Sequence, residues 1–182
     1  KELLEGETRF GFEGITMIGK GDDATLWMAV QREWGNDPKG SVKLVSYNPK
    51  SKEWGAVRYP LDKAPQGGWI GLSEITAFGN HVYIVERDNQ IGDKAKTKKL
   101  YSVAISDLKP AKVGGDLPLV AKQEVHDFLP DLKAQTNGYV VDKLEGFAFD
   151  KAGKAYAVTD NDGVDDSSGE TLFFPVELKV TN

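Results

Sequence analysis

The chain has 182 residues, 40% of them apolar and 28% charged, with 28 acidic against 23 basic side chains and a formal net charge of −5. This is the composition of a folded globular protein rather than a disordered one, and with no basic block able to track a phosphate backbone it argues against nucleic acid as a partner. The absence of cysteine excludes disulfides, thiolate nucleophiles and zinc–thiolate centres; no apolar run reaches the length of about 18 residues that a membrane-crossing helix needs, and residues 1–9 carry no apolar core of the secretion-signal kind.

Taken in chain order, the elements repeat. Gly11-Phe12-Glu13-Gly14-Ile15-Thr16 begins a short strand; a turn at residues 19–23 leads to an apolar strand over 26–32, a third strand over 41–47, the turn Asn48-Pro49-Lys50-Ser51, and a fourth strand over 53–59. The same order recurs from Gly71-Leu72-Ser73-Glu74-Ile75-Thr76, through the Gly79-Asn80 turn, to strands over 81–89 and 99–105. Lys94, Lys96, Lys98 and Lys99 read as a solvated hairpin loop. Residues 107–142, with Pro110, Pro118 and Pro130, break the pattern; they are expected to hold the second unit's outer strand, an excursion, and one short helical turn over 127–134. A third copy runs from Lys143-Leu144-Glu145-Gly146-Phe147-Ala148, through a turn at 150–153, to strands over 155–162 and 171–176.

A block of four antiparallel strands recurring every 60 to 70 residues or so is the signature of a propeller blade, since one blade cannot bury both faces alone. The expected fold class is therefore all-β and of β-propeller type, one domain over 1–182 containing three four-stranded blades, with radially arranged sheets over 10–60, 68–106 and 142–180. Closed propellers have about four to eight blades. Three would leave apolar faces at both ends of an arc, to be covered by the rest of a longer propeller, by self-association with a second copy completing a six-bladed ring, or by caps that the sequence does not show.

Site candidates follow from the repeat. Aligned as register marks, Glu13, Glu74 and Glu145 converge on a shared axis, where clustered carboxylates call for a proton or a hard cation such as Ca²⁺ between them; the structural reading is that each caps backbone amides at its blade's first turn. Alignment on Val30, Val85 and Val158 makes Arg32, Arg87 and Asp160 equivalent. The two arginines suit a substrate anion, or equally an ion-pair lock on the glutamates. Asp160-Asn161-Asp162-Gly163-Val164-Asp165-Asp166 opens like a calcium loop, but Glu170 lies too close to complete an EF-hand, and the alternative is a solvated loop. Ser73 lacks a nucleophile-elbow glycine, and only His81 and His126 could serve it as base, so a serine triad has little support. Trp27, Tyr83 and Tyr156 read as core, whereas Trp34, Trp54 and Trp69 lie nearer loops.

The series Gly-Phe-Glu-Gly-Ile-Thr, then Leu-Ser-Glu-Ile-Thr with Val-Glu-Arg-Asp-Asn, then Asp142-Lys143-Leu144-Glu145-Gly146-Phe147-Ala148-Phe149 followed by Thr159-Asp160-Asn161-Asp162-Gly163 resembles the C-terminal half of the esterase-like activity of phytase family. The resemblance covers nearly the whole chain. It implies a propeller with its site near the central channel, a periplasmic or extracellular location, and metal-assisted, calcium-dependent hydrolysis of a small phosphorylated or ester substrate. The remaining blades would lie in an N-terminal half. No catalytic residue carries over from the calcium-dependent propeller phytases, which are similar in fold and acidic channel only. The alternative is a non-catalytic propeller that binds a ligand or a protein.

Overall fold

In a computed structural model, residues 2–161 and 171–178 are described. Strands β1 (Phe12–Ile18), β2 (Thr25–Val30), β3 (Ser41–Asn48) and β4 (Glu53–Pro60) form one antiparallel meander. Its last hairpin is closed by Asn48, whose side-chain oxygen accepts the N–H groups of Lys50 and Ser51 at 2.9 Å each, while Lys52 takes φ 60°. Strands β5 (Ile70–Phe78), β6 (His81–Asp88), β7 (Lys98–Ala104) and β8 (Gln123–Asp127) make a second meander. The excursion therefore does return an outer strand, and helix α1 (Leu129–Gln135) follows it directly. Strands β9 (Leu144–Phe149), β10 (Ala155–Thr159) and β11 (Phe173–Val176) form the third sheet. It has three strands among the described residues where four were expected. No helix among the described residues is long and apolar enough to cross a membrane.

Each sheet carries a β-bulge at the same place, and the bulges correct the alignment drawn from sequence. Pairing skips one residue between Phe12 and Gly14, between Leu72 and Glu74, and opposite the Val158–Thr159 step. On either side of the skip, Phe12, Leu72 and Leu144 pair with Val30, Glu86 and Thr159, and Ile15, Ile75 and Phe147 pair with Met28, Ile84 and Ala157. The bulged residues are thus Glu13, Ser73 and Glu145. Glu74 stands one residue on, in register with Gly14 and Gly146, and is not the equivalent of the other two glutamates. By the same pairing the residue matching Arg87 and Asp160 is Gln31, whose N–H bonds Gly11 O at 2.9 Å as Asp160 N–H bonds Lys143 O at 2.8 Å; Arg32 is one residue off.

The first strands of the three sheets stand side by side in the order β1, β5, β9. A threonine at the same register position links each to the next: Thr16 Oγ1 accepts the N–H of Ala77 at 2.9 Å, and Thr76 Oγ1 donates to Phe147 O at 2.7 Å. Between the first two sheets lies a core of Trp27, Ala29, Leu44 and Val57 against Ile75, Val82, Ile84 and Val103. Between the second and third, Val85, Leu100 and Phe128 meet Phe147, Ala157 and Phe174. Trp27 is core as expected, while Tyr83 and Tyr156 are half-buried. Of the lysine run, Lys94 and Lys96 are exposed but Lys98 is buried, its ammonium 3.1 Å from Asp88 and 2.7 Å from the Asp88 carbonyl. That part of the run is a buried ion pair rather than a solvated loop.

Candidate functional site

The bulged Glu13 and Glu145 meet at one end of the inner strands, where a cavity of about 340 Å³ is lined by Arg9, Phe10, Glu13, Gln31, Trp69, Lys143 and Glu145. Glu13 and Glu145 reach it from the first and third sheets, and Gln31 from the end of β2. Trp69 stands just ahead of β5, its N–H held by the Asn89 side-chain oxygen at 2.9 Å. The guanidinium of Arg32 lies 4.8 Å from the Trp69 ring and 4.5 Å from that of Phe10, Arg9 lies 4.7 Å from Phe10 on its own account, and Arg87 lies 5.6 Å from Trp69. Stacking of this kind holds guanidinium groups in place through the ring quadrupole while leaving their N–H edges available. Nε of Arg32 is buried without a hydrogen-bond partner.

Arg32 and Arg87 serve different neighbours. Arg87 is 1% exposed, and its fork is occupied: Nε donates to Ser73 Oγ at 2.8 Å, one terminal nitrogen to Asp142 at 3.1 Å and the other to Glu145 at 2.6 Å. It locks the second sheet to the third. Ser73 is thereby engaged by a guanidinium, and His126 pairs with Asp131 at 2.7 Å, so these residues do not assemble a serine–histidine pair. His81 is exposed at the start of β6.

The acids differ in environment. Glu13, though its side chain stays exposed, is shifted up from its ordinary pKa, chiefly through partial desolvation and then through the negative charge of Glu145, with Arg87 and Lys143 acting in the opposite sense. Glu74 is pushed up to about 6 by burial, although it accepts the Ile75 N–H at 2.8 Å and the Phe147 backbone also favours its ionised form. It lies between strands β1, β5 and β9, with its Oε1 2.6 Å from where a Cβ on Gly14 would stand. Glu13 and Glu145 are therefore brought together, while Glu74 is turned into the strand packing and Asp160 lies beside Lys143 at the end of β10. Among the described residues no group of three acids or histidines is placed to hold a metal ion. Glu145 already answers the charges of Arg87 and Lys143 (2.6 and 3.7 Å), so the residues present do not fit a three-carboxylate calcium site. Asp162, Asp165 and Asp166 of the calcium-loop reading lie outside the described residues.

Reading the sequence missed Arg9, Phe10, Gln31, Trp69 and Lys143 as cavity residues. It also missed a buried polar network between the first two sheets, in which Glu86 accepts from Tyr59 Oη at 2.9 Å and from Lys122 at 2.7 Å, and Lys122 reaches Asp62 at 2.8 Å. Lys122 lies in the irregular stretch, and its partners are 36 and 60 residues away in sequence.

The fold and the cavity define an all-β protein of repeated antiparallel sheets, with paired carboxyl groups and cations gathered at one end of its inner strands. A sequence model of the phytase-like family, described as esterase-like activity of phytase, matches residues 4–163, and the chain belongs to that family. No curated protein and no solved structure matches the chain.

Proposed function

We propose that the three sheets are blades of a propeller arc and that the inner-strand cavity is an ester-hydrolysing site for a small anionic phosphoester or carboxylic ester. Support for the arc comes from the repeated bulge and the repeated threonine link. For hydrolysis, the carrying observation is the pairing of Glu13 and Glu145 in one cavity with Arg9 and Lys143, burial and the Glu145 charge shifting the Glu13 carboxyl up from its ordinary value. A carboxyl group whose pKa is shifted upward by its surroundings is a candidate for general acid–base work. Arg9 and Lys143 hold the substrate's anionic group. As water attacks the phosphorus or acyl carbon, protonated Glu13 delivers its proton to the departing alkoxide; the ester C–O or P–O bond breaks, and the proton lost by the water restores Glu13. Glu145, charge-paired with Arg87, keeps a negative charge beside Glu13 and favours its protonated form.

The test is turnover of p-nitrophenyl phosphate and p-nitrophenyl butyrate. Glu13→Gln should lower kcat by about 100-fold or more with KM little changed, and Arg9→Ala should chiefly raise KM for the phosphoester. One observation favours a second reading, a binding module without chemistry: Arg87 and Ser73 are engaged with each other, and among the described residues no serine, threonine or histidine lines the cavity. Saturable binding of inorganic phosphate that Arg9→Ala abolishes, with no turnover of either ester, would decide for that reading.

A further inference from the structure

Arg87 is one link in a longer buried series of charges that reaches away from the cavity. Arg87 and Lys98, 1% and 0% exposed, stand directly opposite each other on the paired strands β6 and β7, an arrangement in which like charges repel. One carboxylate oxygen of Asp142 bridges them, 3.1 Å from Arg87 and 3.4 Å from the Lys98 ammonium. Lys98 is held from its other side by Asp88, 3.1 Å from the carboxylate and 2.7 Å from the carbonyl, and by the Gln90 carbonyl at 3.1 Å. Acid and base thus alternate along Asp88, Lys98, Asp142, Arg87 and Glu145, and the series ends at the cavity beside Glu13.

The backbone fixes Asp142 in this place. Val140 and Val141, just ahead of it, are buried in the core between the second and third sheets, and the Val140 carbonyl accepts the Gly92 N–H at 2.8 Å. Beyond it, the Leu144 N–H returns to the Asp142 carbonyl at 3.0 Å as β9 begins. Arg87 carries a single positive charge and divides it between Asp142 at 3.1 Å and Glu145 at 2.6 Å. The share drawn by Asp142 is withheld from Glu145, whose negative charge is then less compensated where it faces Glu13. Little water screens this coupling, because both cations are buried. Among the described residues the charged groups facing Glu13 are Glu145 from β9, Arg87 from β6 and Lys143 just ahead of β9, with Arg9 on the same cavity and Glu74 on the adjoining strand β5.

We propose that Asp142 is a positioning residue for the cavity: by engaging one arm of Arg87 it leaves Glu145 with an uncompensated share of negative charge, which favours the proton on Glu13. The catalytic consequence rests on the hydrolytic reading, whereas the coupling itself does not. Asp142 is not among the cavity-lining residues and acts through Arg87 and Glu145. Without its charge, Arg87 answers Glu145 alone, the field on Glu13 becomes less negative, and Glu13 releases its proton at lower pH.

The experiment is the titration of Glu13 by carbon-13 NMR of protein labelled at the glutamate side-chain carboxyl, the resonance being assigned by its loss in Glu13→Gln. Asp142→Asn should move the Glu13 titration to lower pH, and Asp142→Glu, which keeps the charge, should leave it nearer to wild type. The shift caused by Asp142→Asn should shrink in a Glu145→Gln background, a double-mutant cycle read on Glu13 itself. A Glu13 titration unmoved by Asp142→Asn, moved equally by Asp142→Glu, or moved just as far when Glu145 is replaced would each overturn the proposal. Asp142→Ser is the second neutral variant, and circular dichroism checks the fold of each; if neither neutral variant folds, Asp142 is structural and the positioning role is overturned. The pH limb of kcat/KM for p-nitrophenyl phosphate should follow the NMR shift. A Glu13 titration that moves as expected with no turnover of either ester would remove the hydrolytic reading and leave the coupling in place, so the two failures are distinguishable.

Discussion

Gly14→Ala probes a close approach between the first two sheets. A Cβ there would stand 2.6 Å from the Ile75 amide nitrogen, 2.6 Å from Glu74 Oε1 and 2.9 Å from Glu74 Cα. Two of these three atoms are β5 backbone, so no rotamer change relieves the clash, and β1 must withdraw by roughly 1 Å. Overpacking of this kind costs about 1–3 kcal/mol. Withdrawal also strains the Ala77 N–H to Thr16 bond, worth about 1 kcal/mol. The expected loss of about 2–4 kcal/mol corresponds to a fall in Tm of about 5–15 °C for a chain of this size. Urea unfolding monitored by tryptophan fluorescence, alongside a thermal melt, measures it. Gly146→Ala is the internal comparison: its added methyl would meet Val158 Cγ1 at 2.5 Å, a half-exposed side chain that can turn away, so the loss should be about 1 kcal/mol. The backbone argument also requires that Glu74→Ala fail to rescue Gly14→Ala. A Gly14→Ala protein within about 0.5 kcal/mol of wild type, or one rescued by Glu74→Ala, would refute the reasoning.

Glu74, raised to about 6 against an ordinary 4.5, favours the fold fully below pH 4.5 and loses that contribution as pH rises through about 6; the full shift is worth about 2 kcal/mol, or about 1 after screening by solvent. Glu74→Gln should therefore flatten the stability profile between these pH values in urea titrations, and an unchanged slope would contradict the assignment. Arg87→Lys loses the fork that joins Ser73, Asp142 and Glu145 and should destabilise by about 2–4 kcal/mol, with hydrogen exchange rising first along β9 where the second and third sheets meet. Lys122→Met leaves the buried Glu86 carboxylate, already raised by burial, without its cation. The loss of stability should be about 3 kcal/mol near neutral pH and should shrink as the pH is lowered and Glu86 takes up a proton; a loss that does not change with pH would remove Lys122 from that role.

The strands were legible in the sequence because alternation and turn chemistry are local: the Asn48 turn and the Gly79 turn, with its φ of 58°, fell where their residues indicated. Register was not, because a bulge adds one residue that leaves no mark in composition. Glu74 looked equivalent to Glu13 and Glu145 by side-chain type, whereas the pairing makes Ser73 the equivalent residue. The valines misled in the same way, since Val30 matches Glu86 rather than Val85. The convergence of Glu13 and Glu145 was readable from the repeat, but Arg9 and Trp69 enter the cavity from segments outside the strands, where no period points to them. The role of Arg87 depends on Asp142 and Glu145, which lie 55 and 58 residues further along the chain.

The central claim, that Glu13 is the acid–base group of an ester-hydrolysing cavity at the inner-strand ends, is tested most directly by the pH dependence of kcat/KM for p-nitrophenyl phosphate in wild type and Glu13→Gln. The account expects a wild-type limb governed by a carboxyl group shifted up from the ordinary glutamate value, and a flattened, much lower profile for Glu13→Gln. A Glu13→Gln protein with the rate and pH profile of the wild type would contradict it.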